Sequence, residues 1–210
     1  MQTRRIVYFE EGGAEHTDAL IDIVREAALE LGVKKIVVAS TSGDSAVRVA
    51  EKLAGTGIAI VAVGHQSGFP VAGQRFKGEN AERLRGLGAD VCLGADVCLG
   101  TDVLTNSIRQ RERLGSSPLS IITQMLSTLK MKVNVEVVLK ATDDGFLAPG
   151  ERVISLAGSH AGLDTAIVFE AQESAKILDL KMGEIIAIPL SREKSDAEYM
   201  RRRAAQAAPQ

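Results

Sequence analysis

Short runs dense in valine and isoleucine alternate with longer stretches of helical periodicity through the first two thirds of this chain, and that alternation restricts the fold more than any other feature. Strands separated by helix-length segments build βαβ units, which call for a parallel sheet covered on both faces. Strands are predicted over Arg5 to Phe9, Lys35 to Ala39, Ile58 to Val63, a segment near Val97, and Val133 to Leu139. Between the first two, Thr17 to Leu31 carries Leu20, Ile21, Val24, Ala27, Ala28 and Leu31 at helical spacing, with Thr17 as the predicted N-cap and Gly32 as the stop. Asp44 to Leu53 repeats the pattern and ends before Gly55, and a shorter helix is expected over Asn80 to Leu87, before Gly88. Ser117-Pro118 sets a capping hydroxyl ahead of a proline at the first helical position, and apolar periodicity runs from Leu119 to about Leu129.

From Val133 onward the pattern predicts no further long helix. It offers strands at Val133 to Lys140, Val153 to Ala157, Ala166 to Glu170 and Glu184 to Ile188, so the last section is expected to be antiparallel or mixed. The fold class is therefore α/β: a three-layer sandwich with a mainly parallel central sheet and an antiparallel C-terminal section. Residues 1–190 read as one domain, followed by a charged, alanine-rich tail over 191–210, with Arg201, Arg202 and Arg203 in a row, expected to be a solvated helix or disordered.

At 210 residues, 45% of them apolar, such a domain buries roughly 70% of its unfolded surface and needs neither disulfides nor a structural metal. Twenty-five basic against 27 acidic residues leave a net charge of −2, which supplies no field for a nucleic-acid backbone. No apolar run approaches the ~18 residues of a membrane span. The opening Met1-Gln2-Thr3-Arg4-Arg5 leads into a strand-like Ile6-Val7-Tyr8-Phe9 rather than a signal-peptide core. A cytoplasmic protein without nucleic-acid or membrane partners is expected.

Gly88-Ala89-Asp90-Val91-Cys92-Leu93 is followed at once by an identical copy, Gly94-Ala95-Asp96-Val97-Cys98-Leu99. Two six-residue units are too few for a solenoid. An even period keeps the facing of a strand, but both copies together would extend about 20 Å at ~3.3 Å per residue, longer than the neighbouring strands. One copy is expected in the strand and the other as loop or helix extension. The Cys92/Cys98 spacing is then a by-product of copying, with no metal or redox role.

Loops leaving the carboxyl ends of parallel strands share one edge, where ligands bind. Ser40-Thr41-Ser42-Gly43-Asp44-Ser45-Ala46 follows a strand and opens a helix; its hydroxyls, its glycine and the free amides of the helix N-terminus suit a phosphate. The same residues serve equally as helix caps, with Asp44 or Ser42 at the N-cap. Gly64-His65-Gln66-Ser67-Gly68-Phe69-Pro70 brings a histidine and an aromatic ring to that edge, His65 being able to donate a hydrogen bond or transfer a proton, or simply to hold its loop. Gly158-Ser159-His160-Ala161-Gly162-Leu163-Asp164-Thr165 is too long for a two-residue hairpin turn and reads as a ligand loop or a flexible connection. His16, His65 and His160 fall in three separate loops, without the spacing of a zinc site. No G-x-S-x-G, H-E-x-x-H or complete P-loop is present.

The segments Lys35 to Ala46, Ile58 to Val63 and Gly150 to Gly158 resemble the C-terminal α/β domain of pyruvate kinase. Val7-Tyr8-Phe9, His65-x-x-Gly68-Phe69 and Gly158-x-x-x-Gly162-x-Asp164-Thr165-Ala166 look closer still to free-standing relatives of that domain, over roughly residues 4 to 190. The resemblance implies no pyruvate kinase activity, because in that enzyme catalysis belongs to a separate barrel. It implies an effector-phosphate loop at Ser40, Thr41, Ser42, Gly43 and Ser45, helped by Gly158, Ser159, His160 and Thr165. Asp44 departs from the pattern, standing where many kinases carry a base, and would repel a dianion unless it faces away as a cap. The free-standing relatives imply flavin mononucleotide (FMN), with its ring near Phe9, or near Gly68 and Phe69, and its polar edge at His65 or His160. They also imply a homo-oligomer. The expected function is binding of a phosphorylated small molecule, with a flavin-dependent enzyme or a structural interaction module as the alternatives.

Overall fold

A computed structural model describes residues 3–69, 74–96 and 118–207. Its sheet has seven strands: β1 (Val7–Glu11), β2 (Lys35–Ala39), β3 (Ala59–Val63), β4 (Asp90–Cys92), β5 (Arg152–Ala157), β6 (Thr165–Glu170) and β7 (Lys181–Ser191), in the order β1-β7-β6-β5-β2-β3-β4. The pairs β1/β7, β2/β3, β2/β5 and β3/β4 are parallel, while β6 runs antiparallel to both β5 and β7. All strands but β6 therefore point the same way. The mainly parallel sheet with an antiparallel C-terminal section is what the strand pattern led us to expect.

Among the described residues the helices are α1 (Thr17–Leu31), α2 (Asp44–Lys52), α3 (Gly78–Gly86), α4 (Pro118–Thr128), α5 (Lys132–Asp143) and α6 (Glu193–Ala207). Period-two alternation in the strands splits the core in two. Ile36 and Val38 of β2 and Ile60 and Ala62 of β3 pack with Leu20, Ile21 and Val24 of α1, Val47 and Ala50 of α2, and Leu84 of α3. Val37, Val61, Val63 and Val153 face the other way, onto Val135, Val138, Leu139 and Ala141 of α5. Helices thus cover both faces, giving the three layers.

The predicted strand at Val133 to Lys140 is instead the centre of α5. A valine costs a few tenths of a kcal/mol of helix propensity relative to alanine, whereas its full burial returns about 1.5–3 kcal/mol, so covering the second face of the sheet decides the conformation. α6 is the second long helix that the periodicity did not show, and of the two alternatives for the tail it realises the helix. α1 starts at Thr17 rather than after it: His16 stands at the N-cap without a side-chain bond. Thr17 Oγ1 donates to Ala14 O (2.7 Å) and accepts from Leu163 N (3.0 Å), joining two loops. Gly32 ends α1 in the left-handed region (φ 66°), as predicted.

The first copy of the repeat occupies β4, paired from Val61↔Asp90 to Val63↔Cys92. Gly94, Ala95 and Asp96 of the second copy form the loop that follows; the predicted strand near Val97 lies outside the described residues. Cys92 is fully buried and donates from Sγ to Asp144 Oδ2 (3.0 Å). Burial first, then that carboxylate, pushes its thiol up to about 12, so it is an inert core residue. Among the described residues no group of His, Cys, Asp and Glu could hold a metal ion, and no helix is long and apolar enough to cross a membrane.

Candidate functional site

β2 sends the chain toward β3 and β4, whereas β5 sends it the opposite way, toward β6 and β7. A crevice opens outside the carboxyl ends of strands that diverge in this manner. Here it is a cavity of about 960 Å³ beginning at Ala39 and Ser40 of one strand end and Ala157 and Gly158 of the other. The three predicted loops converge on it. Ser40, Thr41, Ser42, Ser45, His65, Phe69, Gly158, Ser159, His160 and Thr165 all line it, while Gly43 and Gly68 do not. Phe9 also stays outside, its ring stacked on His16 with centroids 4.3 Å apart.

Gly43 acts from behind the wall. It is the N-cap of α2 with φ 92°, and a Cβ there would stand 2.7 Å from both Asn80 Cβ and Phe76 Cε1. Neither Ser42 nor Asp44 is the cap, contrary to expectation: Asp44 is already the first helical residue. Its carboxylate is turned onto neighbours, accepting from Ser42 Oγ (2.6 Å), Asn80 Nδ2 (2.7 Å) and Lys77 Nζ (3.0 Å). Those hydrogen bonds, Ser42's the largest, hold its pKa at about 2. The repulsion expected between Asp44 and a dianion is thereby countered by Lys77. Ser40 Oγ accepts from Ala46 N (3.4 Å), and Ser40 N donates to Val63 O (2.9 Å). The amides of Thr41, Ser42, Gly43 and Ser45 meet no acceptor among the described residues, which leaves a group of donors at the positive end of α2.

On the opposite flank of β2, His65 follows β3. Its Nδ1 lies 3.2 Å from Asp96 Oδ2, and its ring stacks on Phe69 at 4.0 Å between centroids. Asp96 Oδ1 accepts from Lys140 Nζ (2.7 Å) and from Gln66 N (2.9 Å), and Lys140 also donates to Gly64 O (2.8 Å). The Lys140 and Asp96 side chains are only 4% and 6% exposed. Burial alone would raise the Asp96 pKa, but the bonds from His65, Lys140 and Gln66 outweigh it and hold the carboxyl below its usual range. An ionised Asp96 favours the Nδ1–H tautomer of His65, leaving Nε2, which has no partner among the described residues, as the polar atom presented to the cavity. Such an arrangement can accept or return a proton.

The third loop is built around Asp164, 1% exposed, whose Oδ2 accepts from Ser159 N and Gly13 N (both 3.0 Å) and whose Oδ1 accepts from Thr165 Oγ1 (2.9 Å). The loops after β1 and β5 thus share one carboxylate. His160, at φ 63°, points to α6: its Nε2 lies 2.5 Å from Asp196 Oδ1 and its ring stacks on Tyr199 at 4.2 Å. Arg192, Asp196 and Tyr199 themselves line the cavity, so the tail segment forms part of its wall.

Asp96, Lys140, Asp164 and the α6 residues were not predicted as site residues. Lys140 carried a signal: Lys132, Glu136 and Lys140 recur at i, i+4 and i+8, the spacing of one helix face, and all three line the cavity. Asp96 lies in the second copy of the repeat, in which no site residue is predicted. Fold and cavity together define a mixed α/β domain with a ligand-sized crevice at its carboxyl edge. Residues 18–169 match the family model of the pyruvate kinase alpha/beta domain, most of the chain, and the protein belongs to that family. β1, β7 and α6 lie beyond the match.

Proposed function

We propose that this domain binds a phosphorylated small molecule in the carboxyl-edge cavity, with the phosphate on the loop from Ser40 to Ser45. The observation that carries this is the set of amides at Thr41, Ser42, Gly43 and Ser45, at the head of α2, that meet no acceptor among the described residues, with the Asp44 carboxylate drawn onto Lys77 and Asn80. Donors at a helix N-terminus stabilise a phosphate by direct hydrogen bonds and by the helix dipole. FMN is our specific choice. A cavity of about 960 Å³ that runs from the α2 loop to the third loop and Arg192 has room for its ring system. FMN would supply redox chemistry at its ring, while this chain would hold the phosphate and orient the ring.

Flavin absorbance in the purified protein, or its appearance on adding FMN, tests this choice. Ser42→Glu sets a carboxylate where the phosphate would sit and should abolish binding of FMN while leaving the circular dichroism unchanged. Undiminished FMN binding by a folded Ser42→Glu variant would overturn the assignment of the loop. A second reading, that the bound molecule is also a substrate, is favoured by the His65–Asp96 pair, with His65 Nε2 as the proton-transferring atom.

A further inference from the structure

Most charged groups bordering the cavity are paired. Lys140 meets Asp96, Lys132 meets Glu136 at 3.6 Å, and His65 and His160 meet Asp96 and Asp196. Two cations have no carboxylate partner among the described residues, and they lie close together. Lys130 Nζ donates only to Leu190 O (2.8 Å), and Arg192 stands two residues further along the chain. Arg192 Nε is shut off from solvent and meets no hydrogen-bond acceptor among the described residues. A charged donor in that condition is costly unless something that comes and goes completes it.

Arg192 is also held in place. It is the residue between the end of β7 and the start of α6, and its carbonyl accepts from Asp196 N (2.8 Å). The bonds from α6 to His160 tie that helix to the third loop. The order β7-β6-β5-β2 places three strand spacings, about 14 Å at ~4.8 Å each, between this end of the cavity and the α2 loop.

We infer that Arg192 is a second anchor of the cavity, and that the ligand is two-ended. This rests on the reading that the cavity takes a phosphorylated molecule. The phosphate sits on the loop from Ser40 to Ser45, and Arg192 takes a hydrogen-bond-accepting far end: a carboxylate, a second phosphate or an imide carbonyl. A guanidinium binds such groups through paired donors, and Lys130 adds positive charge beside it. Residue 192 lies outside the segment that matches the family.

The test follows the Arg192 Nε–H resonance and the Ser42 and Ser45 amides by NMR while the full chain is titrated with inorganic phosphate, riboflavin or FMN. Phosphate should move the loop amides and leave Arg192 unmoved; FMN should move both; riboflavin should move Arg192 alone. Arg192→Gln should weaken FMN about tenfold to a hundredfold with phosphate binding unchanged, and Arg192→Lys should recover part of the loss. If FMN shifts the loop amides but neither moves Arg192 nor responds to Arg192→Gln, the second anchor is wrong and the phosphate reading stands. If phosphate moves Arg192 in place of the loop, the two ends have been misassigned. If neither phosphate nor FMN moves the loop amides, the phosphate reading fails and the two-ended ligand fails with it.

Discussion

Replacing Asp96 by alanine removes the carboxylate bonded to Lys140, whose Nζ then keeps the Gly64 carbonyl and nothing else among its present partners. Breaking a buried pair from one side costs about 3–5 kcal/mol, because an uncompensated charge stays buried. With both side chains here under one tenth exposed, that range applies with little discount for solvent. It is a large share of the roughly 5–15 kcal/mol that holds a domain together, and corresponds to a fall in Tm of about 6–20 °C at this chain length. Asp96→Ala with Lys140→Met removes both charges, and replacing a buried pair by apolar groups is often close to neutral, so the double variant should recover most of the loss. Urea unfolding of the four proteins in a double-mutant cycle measures the coupling, expected at about 2 kcal/mol or more. An Asp96→Ala variant within about 1 kcal/mol of the parent, or additive single effects, would refute the claim that this pair is a buried structural unit.

Two further outcomes follow from the repeat and from the α2 loop. Deleting Gly88 to Leu93 should preserve both the fold and FMN binding. Asp96, Val97 and Cys98 then take the place of the β4 residues, and Gly100-Thr101-Asp102 repeats the glycine-to-aspartate spacing of Gly94-Ala95-Asp96, delivering a new carboxylate to Lys140. Adding Asp102→Ala to the deletion should reproduce the instability of Asp96→Ala, and a deletion variant indifferent to that change would sink the substitution. Asp44, with its pKa depressed to about 2, contributes stability that is fully present above its ordinary 3.8 and is lost as pH falls from that value through about 2. Carboxyl NMR should show Asp44 titrating near the lower value, and Lys77→Met should move it upward; an ordinary midpoint in the parent would contradict the hydrogen-bonded geometry.

What could be read in the residues follows the range of the interactions. Lys35 to Ala39 and Thr17 to Leu31 declare themselves because a strand buried on both faces and an amphipathic helix are local patterns. The three loops that line the cavity were legible for the same reason, being whatever follows a strand at the carboxyl edge. Val133 to Lys140 failed because a β-branched run is ambiguous until one knows that a bare sheet face lies beside it. Lys140 and Asp96 lie 44 residues apart, His160 and Asp196 lie 36 apart, and neither pairing leaves a trace in local sequence. The tail misled in another way. Its composition is that of a solvated helix, and most of its described surface is exposed, yet the side that touches the third loop carries Asp196 and Tyr199.

The net charge of −2 counted against polyanions, and taken over the whole surface that remains sound, but it says nothing about where an anionic group can sit. Asp44, Asp96, Asp164 and Asp196 all line the cavity, and each is already engaged by a cation, a histidine or backbone amides. A carboxylate so occupied repels an incoming phosphate far less than a bare one, since its partner's field cancels most of its own beyond a few ångströms. What is left uncancelled is positive, and it stands in two places: the amides that open α2, and Arg192 with Lys130 at the end of β7. A molecule with a hydrogen-bond acceptor at one end alone would satisfy half of this arrangement. With two anchors as proposed, the spacing of the two positive regions across β5 and β6 would select for ligand length as well as for charge, which a count of lysines and arginines cannot express.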